Sequence, residues 1–344
     1  MNSKVIKFVA GGGKTTLSED ILKENKNGLY LAFTNSVVKK ISDKGFLSRT
    51  IDSLFQSFII PKFTSLIPLI ADGSRIKYIE SETLPSYQKG VANIKLDSEG
   101  NLYNKSKRLN ITINTLNKDL HNMNSNDSIG FIKYIFNKNE LRITHEFRKS
   151  LSNYLIKNYS KEIVDILNKR FSYIIIDEAQ DLKNYIEDFA RVLYNSPIKL
   201  ILLGDINQNI NGGGKWFENL PADELKKTSH RCPENNCEWI RNNLNIDIYG
   251  TDVDSEFKMI SYEEVLDYDD GNHTLLYSTN SGNNNKNIIS NWKGCKETIK
   301  SAKGSTVDKD IVIIGNSINK KNYYTAITRT TKNVYSTITK IIES

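Results

Sequence analysis

The sequence has 344 residues, of which 38% are hydrophobic and 25% are charged, and it carries a formal net charge of +7. This length suits two packed domains better than one small module. The mean hydropathy of −0.46 and the lack of any run of about 18–20 apolar residues argue against a membrane-spanning helix.

Cysteine content and the first residues bear on the compartment. The three cysteines, Cys232, Cys237 and Cys295, are too few for a disulfide framework, and no paired CxxC motifs indicate zinc. Residues Met1–Lys4 lack the apolar core of a signal peptide. We therefore expect an intracellular, cytoplasmic protein in a reducing environment, with no membrane partner.

The basic charge balance bears on partners. The pI is about 9.0, and lysines that neutralise phosphates release condensed counterions, which favours a polyanionic partner. The chain is also rich in Asn, Ile and Lys, which an AT-rich gene explains equally well. Composition alone leaves both explanations open.

The first part of the chain has the pattern of strand, glycine-rich turn and helix. Val5–Ala10 is a predicted strand, residues 11–13 form a glycine turn, and residues 14 to about 26 form a helix. A second strand, Tyr30–Thr34, and a second helix, Val37–Asp43, follow. This is the start of an alternating α/β pattern.

The pattern changes between about residues 61 and 140, where polar clusters interrupt the hydrophobic runs. We interpret this stretch as a subdomain inserted into the first domain. Within it, Asn93–Tyr103 alternates around Ser98-Glu99-Gly100, which predicts a hairpin.

Regular α/β alternation then resumes. The sequence predicts a helix at 145–169, the strand Tyr173–Ile176, a helix at 184–194 and the strand Lys199–Leu203. A second series begins after about Pro221, and its predicted strands are Leu225–Ser229, Lys258–Ser261, Thr274–Ser278, Thr298–Ser301, Asp310–Ile314 and Val334–Thr339.

Strands that alternate with helices predict mainly parallel sheets covered on both faces. The fold class is therefore α/β, with one domain at 1–222, which contains the insertion, and a second at 223–344. The asparagine-rich stretch Asn280–Asn287 predicts a surface turn.

The stretch Gly11-Gly12-Gly13-Lys14-Thr15-Thr16 follows a predicted strand and opens a helix, which is the context of a phosphate-binding loop. Glycines let backbone N–H groups approach phosphates, and a helix N-terminus favours negative charge. Lys14 is suited to the β/γ-phosphates of ATP, and the Thr15 hydroxyl to Mg²⁺. Phe8 stands where the full pattern has another glycine, and Gly-Lys-Thr also occurs by chance in ordinary loops.

An apolar strand that ends in acids would complete such a site. Tyr173–Ile176 followed by Asp177 and Glu178 supplies it, since the carboxyl ends of parallel strands border the ligand crevice. Asp177 would hold Mg²⁺, and Glu178 would activate the attacking water. The alternative is an acidic strand end that only caps the next helix.

Three further residues fit phosphoryl transfer. Gln208, in Gly204–Gln208 after a third strand, is placed to sense the γ-phosphate. Arg231, after a strand of the second series, and Arg329, in the predicted helix Tyr323–Thr330, could stabilise the transferring phosphoryl group. Alone, these arginines would be interpreted as members of surface salt bridges.

In this order, the motifs resemble those of superfamily 1 helicases along nearly the whole chain. The resemblance implies two tandem RecA-like P-loop NTPase domains that bind ATP and Mg²⁺. The segments that carry it are Ala10–Thr16, Thr34-Asn35, Thr50–Phe55, Asp177–Asp181, Gly204–Gln208, His230–Pro233, Lys303–Thr306 and Tyr324–Arg329.

The resemblance also implies residue roles. Ala10, Gly11, Gly12, Gly13, Thr16, His230 and Gly304 would join Lys14 and Thr15 at the nucleotide, where His230 replaces the usual adenine-stacking tyrosine. Thr34, Asn35, Ser53, Phe55, Ser305 and Thr306 would contact nucleic acid. Trp216 would replace the family's base-stacking aromatics, although it could equally be a core residue.

The subfamily features are mixed. Ile174–Leu182, with Thr144-His145 upstream, resembles the UvrD/Rep-like DNA helicases, whereas Arg231–Pro233 and Gly304–Thr306 resemble viral RNA helicases and the RecD/Pif1-like group. The short separation between Arg231 and Lys303 leaves no room for the family's large accessory domain, which indicates a minimal form.

The resemblance therefore implies an ATP-dependent helicase or translocase on single-stranded nucleic acid, DNA rather than RNA by preference, with replication or repair proteins as candidate partners. Two alternatives stay open. One is a nucleic-acid-responsive ATPase switch that does not unwind, and the other is a viral-type RNA helicase. A P-loop kinase does not explain the motifs from His230 onward.

Overall fold

The computed structural model describes residues 3–63, 75–79, 93–104, 107–113, 136–137, 140–278 and 283–343. The chain divides into two compact units. Unit 1 comprises residues 1–2, 27–174 and 184–200, and unit 2 comprises residues 3–26, 175–183 and 201–344. No helix in the described ranges is long and apolar enough to cross a lipid bilayer.

Helices and strands alternate along most of the described chain. The helices are α1 (Lys14–Glu24), α2 (Asn35–Ser42), α3 (Ile51–Leu54), α4 (Ile60–Phe63), α5 (His145–Asn158), α6 (Ser160–Arg170), α7 (Asn184–Tyr194), α8 (Trp216–Asn219), α9 (Glu234–Leu244), α10 (Asn283–Asn291) and α11 (Lys320–Ile327). A π-helical turn lies at Phe55–Ile59, and 3₁₀ turns lie at Ala179–Asp181, Ile206–Gln208 and Val265–Tyr268.

The strands are short, between two and six residues each. They are β1 (Lys4–Phe8), β2 (Gly28–Ala32), β3 (Ser48–Thr50), β4 (Arg75–Ile79), β5 (Ile94–Leu96), β6 (Asn101–Asn104), β7 (Lys107–Thr112), β8 (Phe136–Asn137), β9 (Glu140–Thr144), β10 (Tyr173–Ile176), β11 (Lys199–Gly204), β12 (Glu224–Lys226), β13 (Thr228–Pro233), β14 (Tyr249–Thr251), β15 (Phe257–Met259), β16 (His273–Tyr277), β17 (Cys295–Thr298), β18 (Asp310–Ile314), β19 (Ser317–Asn319), β20 (Val334–Ser336) and β21 (Lys340–Ile342).

Unit 2 is built on parallel strands. β1 lies between β11 and β12, parallel to both, and Ile6 pairs with Leu203 on one side and Glu224 on the other. A second sheet has the order β15-β20-β18-β16-β17, and all its pairs are parallel. The predicted α/β class with mainly parallel sheets is confirmed.

The sequence of β18 explains why its sheet is covered on both faces. Successive residues of a strand point to opposite faces. Ile313 belongs to a buried cluster with Tyr323 of α11, whereas Val312 belongs to a second buried cluster with Trp292. A continuous apolar run is therefore required here rather than an alternating one.

Unit 1 contains further strand pairs. β2 pairs in parallel with β3, β4 is parallel to β9, and β8 is antiparallel to β9. β5 and β6 pair antiparallel around a turn in which Gly100 has a φ of +84°, so the predicted hairpin at Asn93–Tyr103 is confirmed. The insertion at about 61–140 lies largely outside the described residues. Its limits, and the domain boundary near residue 222, stay predictions.

The predicted helix at 145–169 is two helices, α5 and α6. Tyr159 between them has φ −134° and ψ 32°, outside the helical region. Its ring packs 5.5 Å from that of Phe63 and 6.1 Å from that of Tyr154. This aromatic packing, which local periodicity does not encode, accompanies the break.

Two other predictions for unit 2 were wrong. The stretch Asn280–Asn287 was predicted to be a turn. Residues 280–282 lie outside the described residues, and α10 begins at Asn283, because Ile288 of the helix packs in one buried cluster with Trp292, which directly follows the helix. The strand predicted at Thr298–Ser301 ends at Thr298, whose hydroxyl accepts a hydrogen bond from Ser301 N at 3.1 Å and closes a turn.

Candidate functional site

A glycine-rich turn leads from β1 into α1. Gly11 and Gly13 have φ values of +70° and +86°, a left-handed conformation that other residues rarely adopt. A Cβ at Gly11 would also lie 2.7 Å from Ser229 Oγ and 2.9 Å from Arg231 Cβ. The N–H groups of the first turn of α1 have no acceptor within the helix. The turn therefore has the backbone geometry of an anion-binding site.

Lys14, the first residue of α1, faces an acid that follows β10. Lys14 Nζ lies 3.6 Å from Glu178 Oε1. Glu178 has a φ of +55°, which is uncommon for a residue with a side chain. Its N–H donates to Asp177 Oδ1 at 2.8 Å, and its Oε2 accepts a hydrogen bond from Gln180 Nε2. These bonds hold the Glu178 carboxylate toward the lysine.

The surrounding charges set the protonation of this pair. Burial alone would lower the pKa of Lys14, but the carboxylates of Glu178, Asp177 and Asp205 outweigh it, so the pKa is raised. Burial would raise the pKa of Glu178, but Lys14 and then Lys303 outweigh it, so that pKa is lowered. At neutral pH Lys14 is a cation and Glu178 is a carboxylate that can accept a proton.

Asp205, which follows β11, is a buried carboxylate that was not among the predicted site residues. Its side chain is 0% exposed. Burial raises the pKa of Asp205 to about 6, although Lys14 and a hydrogen bond from Tyr324 act in the other direction. The motif Gly204–Gln208 contained the signal, because an acid follows a buried strand there. Nothing local in the sequence indicated Tyr324.

Lys303 was also missed as a member of the site. Its Nζ donates to Asp181 Oδ1 at 2.8 Å, to Asp181 Oδ2 at 2.7 Å and to the carbonyl oxygen of Gln208 at 2.8 Å. The Lys303 and Asp181 side chains are only 9% and 11% exposed. This ion pair holds the backbone of Gln208, whose side chain is 3% exposed.

Two arginines approach the same region. Arg231 lies within β13 rather than after a strand, and its Nη1 donates to Thr306 Oγ1 at 3.2 Å. Arg329 lies two residues beyond the end of α11, is 1% exposed, and donates from Nη1 to Ser305 O at 3.3 Å. Burial and then the charge of Arg231 lower the pKa of Arg329 to about 9. An anion placed between these cations would relieve their repulsion.

One donor in this group lacks a partner. Arg231 Nε is buried and has no hydrogen-bond acceptor among the described residues. Buried polar groups are normally paired, so an orphaned donor calls for an explanation such as an absent ligand. The geometry thus favours an oxygen-rich anion beside Arg231.

His230 and Gly304 complete the rim. His230 N donates to Gly11 O at 2.9 Å, and its exposed ring lies beside Gly13, with Cδ2 3.7 Å from where a Cβ of Gly13 would be. Gly304 has a φ of +86°, and a Cβ there would meet nothing within 4 Å. The space beside Gly304 is therefore open, and the His230 ring borders the glycine turn.

These residues line one cavity of about 300 Å³, and every lining residue belongs to unit 2. The volume lies at the lower end of the range for small-molecule sites. Three of the lining side chains are cations, which suits a polyanion. The lining residues are Gly11, Gly12, Gly13, Lys14, Thr15, Thr16, Glu178, Gln208, His230, Arg231, Gly304, Thr306 and Arg329.

Two predicted residues are placed differently. Ala10 is 1% exposed, and its N–H donates to the Tyr324 hydroxyl at 2.8 Å. That N–H is already engaged and is not free to bind a phosphate, so a nucleotide contact of Ala10 stays a prediction. Thr306, predicted to contact nucleic acid, instead lines the cavity and accepts a hydrogen bond from Arg231.

Thr15 and Asp177 are the predicted metal ligands. The Thr15 side chain is exposed in the first turn of α1, and Asp177, 3% exposed, follows β10. Hydroxyl and carboxylate oxygens are ligands that Mg²⁺ prefers, with waters and substrate phosphates completing its shell. Across the described ranges, no cluster of three His, Cys, Asp or Glu side chains could hold a metal by itself. The two residues fit a Mg²⁺ that is shared with bound phosphates.

The residues predicted to contact nucleic acid have mixed surroundings. In unit 1, Thr34 and Asn35 are exposed where α2 begins, and Thr34 Oγ1 accepts from Val37 N at 3.5 Å. Ser53 is half-buried in α3, and its N–H donates to Thr50 Oγ1 at 3.0 Å. In unit 2, Ser305 is exposed, and Trp216 is half-buried where α8 begins.

Phe55 does not fit the predicted contact. Its side chain is 0% exposed, and its ring packs edge-on against Tyr185 at 5.8 Å and Phe189 at 5.0 Å. An aromatic ring enclosed on this scale is part of the core and has no free face on which a base could stack.

Two family models match this chain. The UvrD/REP helicase N-terminal domain matches residues 14–212, and the viral superfamily 1 RNA helicase core domain matches residues 115–336. Each match covers more than half of the chain. The chain belongs to the superfamily 1 helicases. The two matches confirm the predicted resemblance, including its mixture of UvrD-like and viral features.

Solved structures give weaker similarities to this helicase. The PRRSV helicase has a TM-score of 0.47 at 13% identity, over 98% of this chain and 52% of that chain. The arterivirus nonstructural protein 10 helicase has a TM-score of 0.46 at 13% identity, over 97% and 59%. Its complex with DNA has a TM-score of 0.45 at 14% identity, over 97% and 60%. The chain spans between half and three fifths of these proteins. No curated protein matches it.

Proposed function

We propose that this chain is an ATP-driven motor that moves along single-stranded nucleic acid and separates duplex strands, and that the cavity of unit 2 hydrolyses ATP. The observation that carries the proposal is the lining of that cavity. A glycine turn at a helix N-terminus, a carboxylate and three cations surround about 300 Å³. A triphosphate is the ligand that would use all of these groups together.

We assign the roles as follows. The N–H groups after Gly13 and the Lys14 ammonium hold the β/γ-phosphates, and Thr15 and Asp177 would hold a Mg²⁺ that would neutralise part of the phosphate charge. Glu178 accepts the proton of the attacking water. Its lowered pKa keeps it ionised for that purpose.

Arg231, Arg329 and Gln208 act on the γ-phosphate. The two guanidinium groups stabilise charge that spreads over the equatorial oxygens in the transition state. The unpartnered Nε of Arg231 supplies a donor for it. Gln208 orients the water, and the ion pair of Lys303 and Asp181 holds the Gln208 backbone in place.

We assign nucleic-acid contacts to Thr34, Asn35 and Ser53 in unit 1 and to Ser305 in unit 2. Hydroxyl and amide groups bind phosphate and sugar and carry little sequence information. Trp216 is the candidate for stacking on a base, a contact worth about 1–3 kcal/mol per base.

RNA is a second candidate strand, and a specific observation favours it. The viral RNA helicase model matches residues 115–336, which include Arg231, Gly304 and Arg329. The UvrD/REP model, which favours DNA, matches residues 14–212 and overlaps the viral model at residues 115–212. Both strands therefore belong in any assay of this protein.

Lys14→Ala tests the proposed site through ATP hydrolysis and displacement of a labelled strand from DNA and RNA duplexes. We expect Lys14→Ala to abolish both, because Lys14 is the cation assigned to the β/γ-phosphates. Lys23→Ala is the control, since Lys23 lies in the same helix with a side chain 62% exposed. Turnover in Lys14→Ala equal to that in Lys23→Ala would contradict the site. ATP hydrolysis without strand displacement would favour an ATPase switch.

A further inference from the structure

The Tyr324 hydroxyl occupies a buried position beside the cavity. The side chain is 0% exposed. Its oxygen accepts a hydrogen bond from Ala10 N at 2.8 Å and donates one to Asp205 Oδ2 at 3.1 Å. Burial and then the nearby Asp205 carboxylate hold the pKa of Tyr324 well above its usual value, so the phenol remains a donor. The Tyr324 hydroxyl thus links Ala10, next to the glycine turn, to Asp205, which follows β11.

The chain of hydrogen bonds continues beyond Asp205. Asp205 N donates to Gln180 Oε1 at 3.0 Å, and Gln180 Nε2 donates to a carboxylate oxygen of Glu178. A continuous path therefore runs from Ala10, next to the glycine turn, to the proposed base. Every member of this path belongs to unit 2.

Tyr324 also anchors the element that carries an arginine of the cavity. It lies in α11, and Arg329 follows the end of that helix and donates from Nε to Thr325 O at 3.0 Å. The bond from α11 to Ala10, next to the glycine turn, therefore fixes the place from which the guanidinium reaches the cavity.

We propose that Tyr324 is a positioning residue, whose hydroxyl holds the glycine turn, Asp205 and α11 in the arrangement that ATP hydrolysis requires. Its effect on turnover rests on the proposed function. Loss of the hydroxyl would leave a buried N–H and a buried carboxylate oxygen each without its partner, a costly arrangement that local movement would relieve. Displacement of a positioned group by about 1 Å is enough to slow catalysis.

The adjacent tyrosine supplies a matched control. Tyr323 is also 0% exposed, and its hydroxyl donates to Ser336 Oγ at 2.7 Å. Tyr323→Phe and Tyr324→Phe each remove one buried hydroxyl from the same helix. Both variants therefore share any general loss of stability that follows from removal of a buried hydroxyl. Only Tyr324→Phe also removes the bond to Ala10, next to the glycine turn.

The experiment measures hydrogen exchange at the Ala10 amide, kcat and KM for ATP, and the melting temperature. In Tyr324→Phe we expect Ala10 exchange to accelerate about tenfold, and kcat to fall about tenfold while KM stays within about twofold. In Tyr323→Phe we expect Ala10 exchange, kcat and KM to stay within about twofold of the wild type. Both variants should lose similar amounts of melting temperature.

Equal Ala10 exchange and equal turnover in the two variants would overturn the proposal. A wild-type protein that hydrolyses no ATP would refute the proposed function instead. In that case the Ala10 exchange comparison by itself decides whether Tyr324 holds the glycine turn.

Discussion

The backbone of Glu178 is held in a conformation that residues other than glycine rarely adopt. Its φ of +55° is an uncommon backbone state outside glycine, and such states are often associated with functional sites. The bonds from its own N–H to Asp177 and from Gln180 to its carboxylate hold it there. The side chain consequently points at Lys14, 3.6 Å away.

Glu178→Gln should bind ATP about as well as the wild type but hydrolyse it at least about 100-fold more slowly. An amide keeps the shape of the side chain and cannot take a proton from water. Isothermal titration with ATP and a turnover assay measure the two properties. Glu187→Gln is the control, because Glu187 pairs with Arg191 and is not among the residues that line the cavity. If ATP affinity collapses in Glu178→Gln, the residue is structural or part of the metal shell.

The buried carboxylate of Asp205 predicts a pH dependence. Its pKa is raised to about 6, so it is ionised above that pH and takes up a proton as the pH falls below it. A protonated Asp205 no longer balances the cations and accepts its hydrogen bonds less well, so turnover should fall as the pH decreases through about 6. The charged or titratable groups that act on it are Lys14, Glu178, Arg231, Tyr324 and Arg329.

Measurement of kcat between about pH 5 and pH 8 checks this expectation. Glu178 does not account for a decline near pH 6, because its pKa is lowered. Asp205→Asn should have a lower rate and should lose the part of the acid decline that Asp205 causes. Any decline caused by protonation of ATP is common to both proteins. The same decline in Asp205→Asn as in the wild type would show that another group titrates.

Site residues could be predicted from the sequence where they stand in local motifs, and not where they depend on contacts between distant positions. The glycine turn, Lys14 and the acids after β10 stand in local patterns whose chemistry can be inferred from adjacent residues. The bond between Tyr324 and Ala10 joins positions 314 residues apart, and no local pattern encodes it. Phe55 was misassigned because a motif position does not reveal burial.

At the scale of elements, the ion pair of Lys303 and Asp181 fastens three segments of unit 2. Lys303 Nζ binds both oxygens of Asp181, after β10, and the carbonyl oxygen of Gln208, after β11. Asn211 Nδ2 also donates to Asp181 Oδ2, at 3.1 Å. Both charged side chains are about nine-tenths buried, so loss of one partner would strand the other.

Lys303→Met should lower the free energy of unfolding by about 3 kcal/mol, because it removes the charge and leaves Asp181 buried without its partner. Urea denaturation measures the change. Lys320→Met is the control, since Lys320 pairs with Glu343, whose side chain is 80% exposed, and its effect should be under about 0.5 kcal/mol. Equal losses in the two variants would show that the buried pair of Lys303 and Asp181 contributes no more to stability than the exposed pair of Lys320 and Glu343.

Elements with strong apolar runs were predicted well. β10, α7 and β18 have the predicted limits, because burial on both faces or a clear helical stripe fixes them. The elements that were predicted wrongly depend on packing between residues that are distant in the sequence. Asparagines at the start of α10 suggested a turn, but burial of Ile288 and Trp292 outweighs their weak helix propensity.

At the scale of the whole molecule, the net charge of +7 suits a protein that holds a polyanion without reading its sequence. Such binding depends on phosphate contacts and weakens steeply with salt. ATP turnover in the absence of nucleic acid does not depend on these phosphate contacts with the strand. Salt should therefore reduce a rate that depends on nucleic acid more than it reduces the basal rate.

The most direct test of the account is the rate of ATP hydrolysis with and without saturating single-stranded DNA or RNA, at low and at high salt. We predict that at least one strand raises the rate several-fold, that high salt reverses much of this increase, and that Lys14→Ala hydrolyses no ATP under any condition. A wild-type rate that neither strand raises would contradict the motor and leave an ATPase that serves another partner.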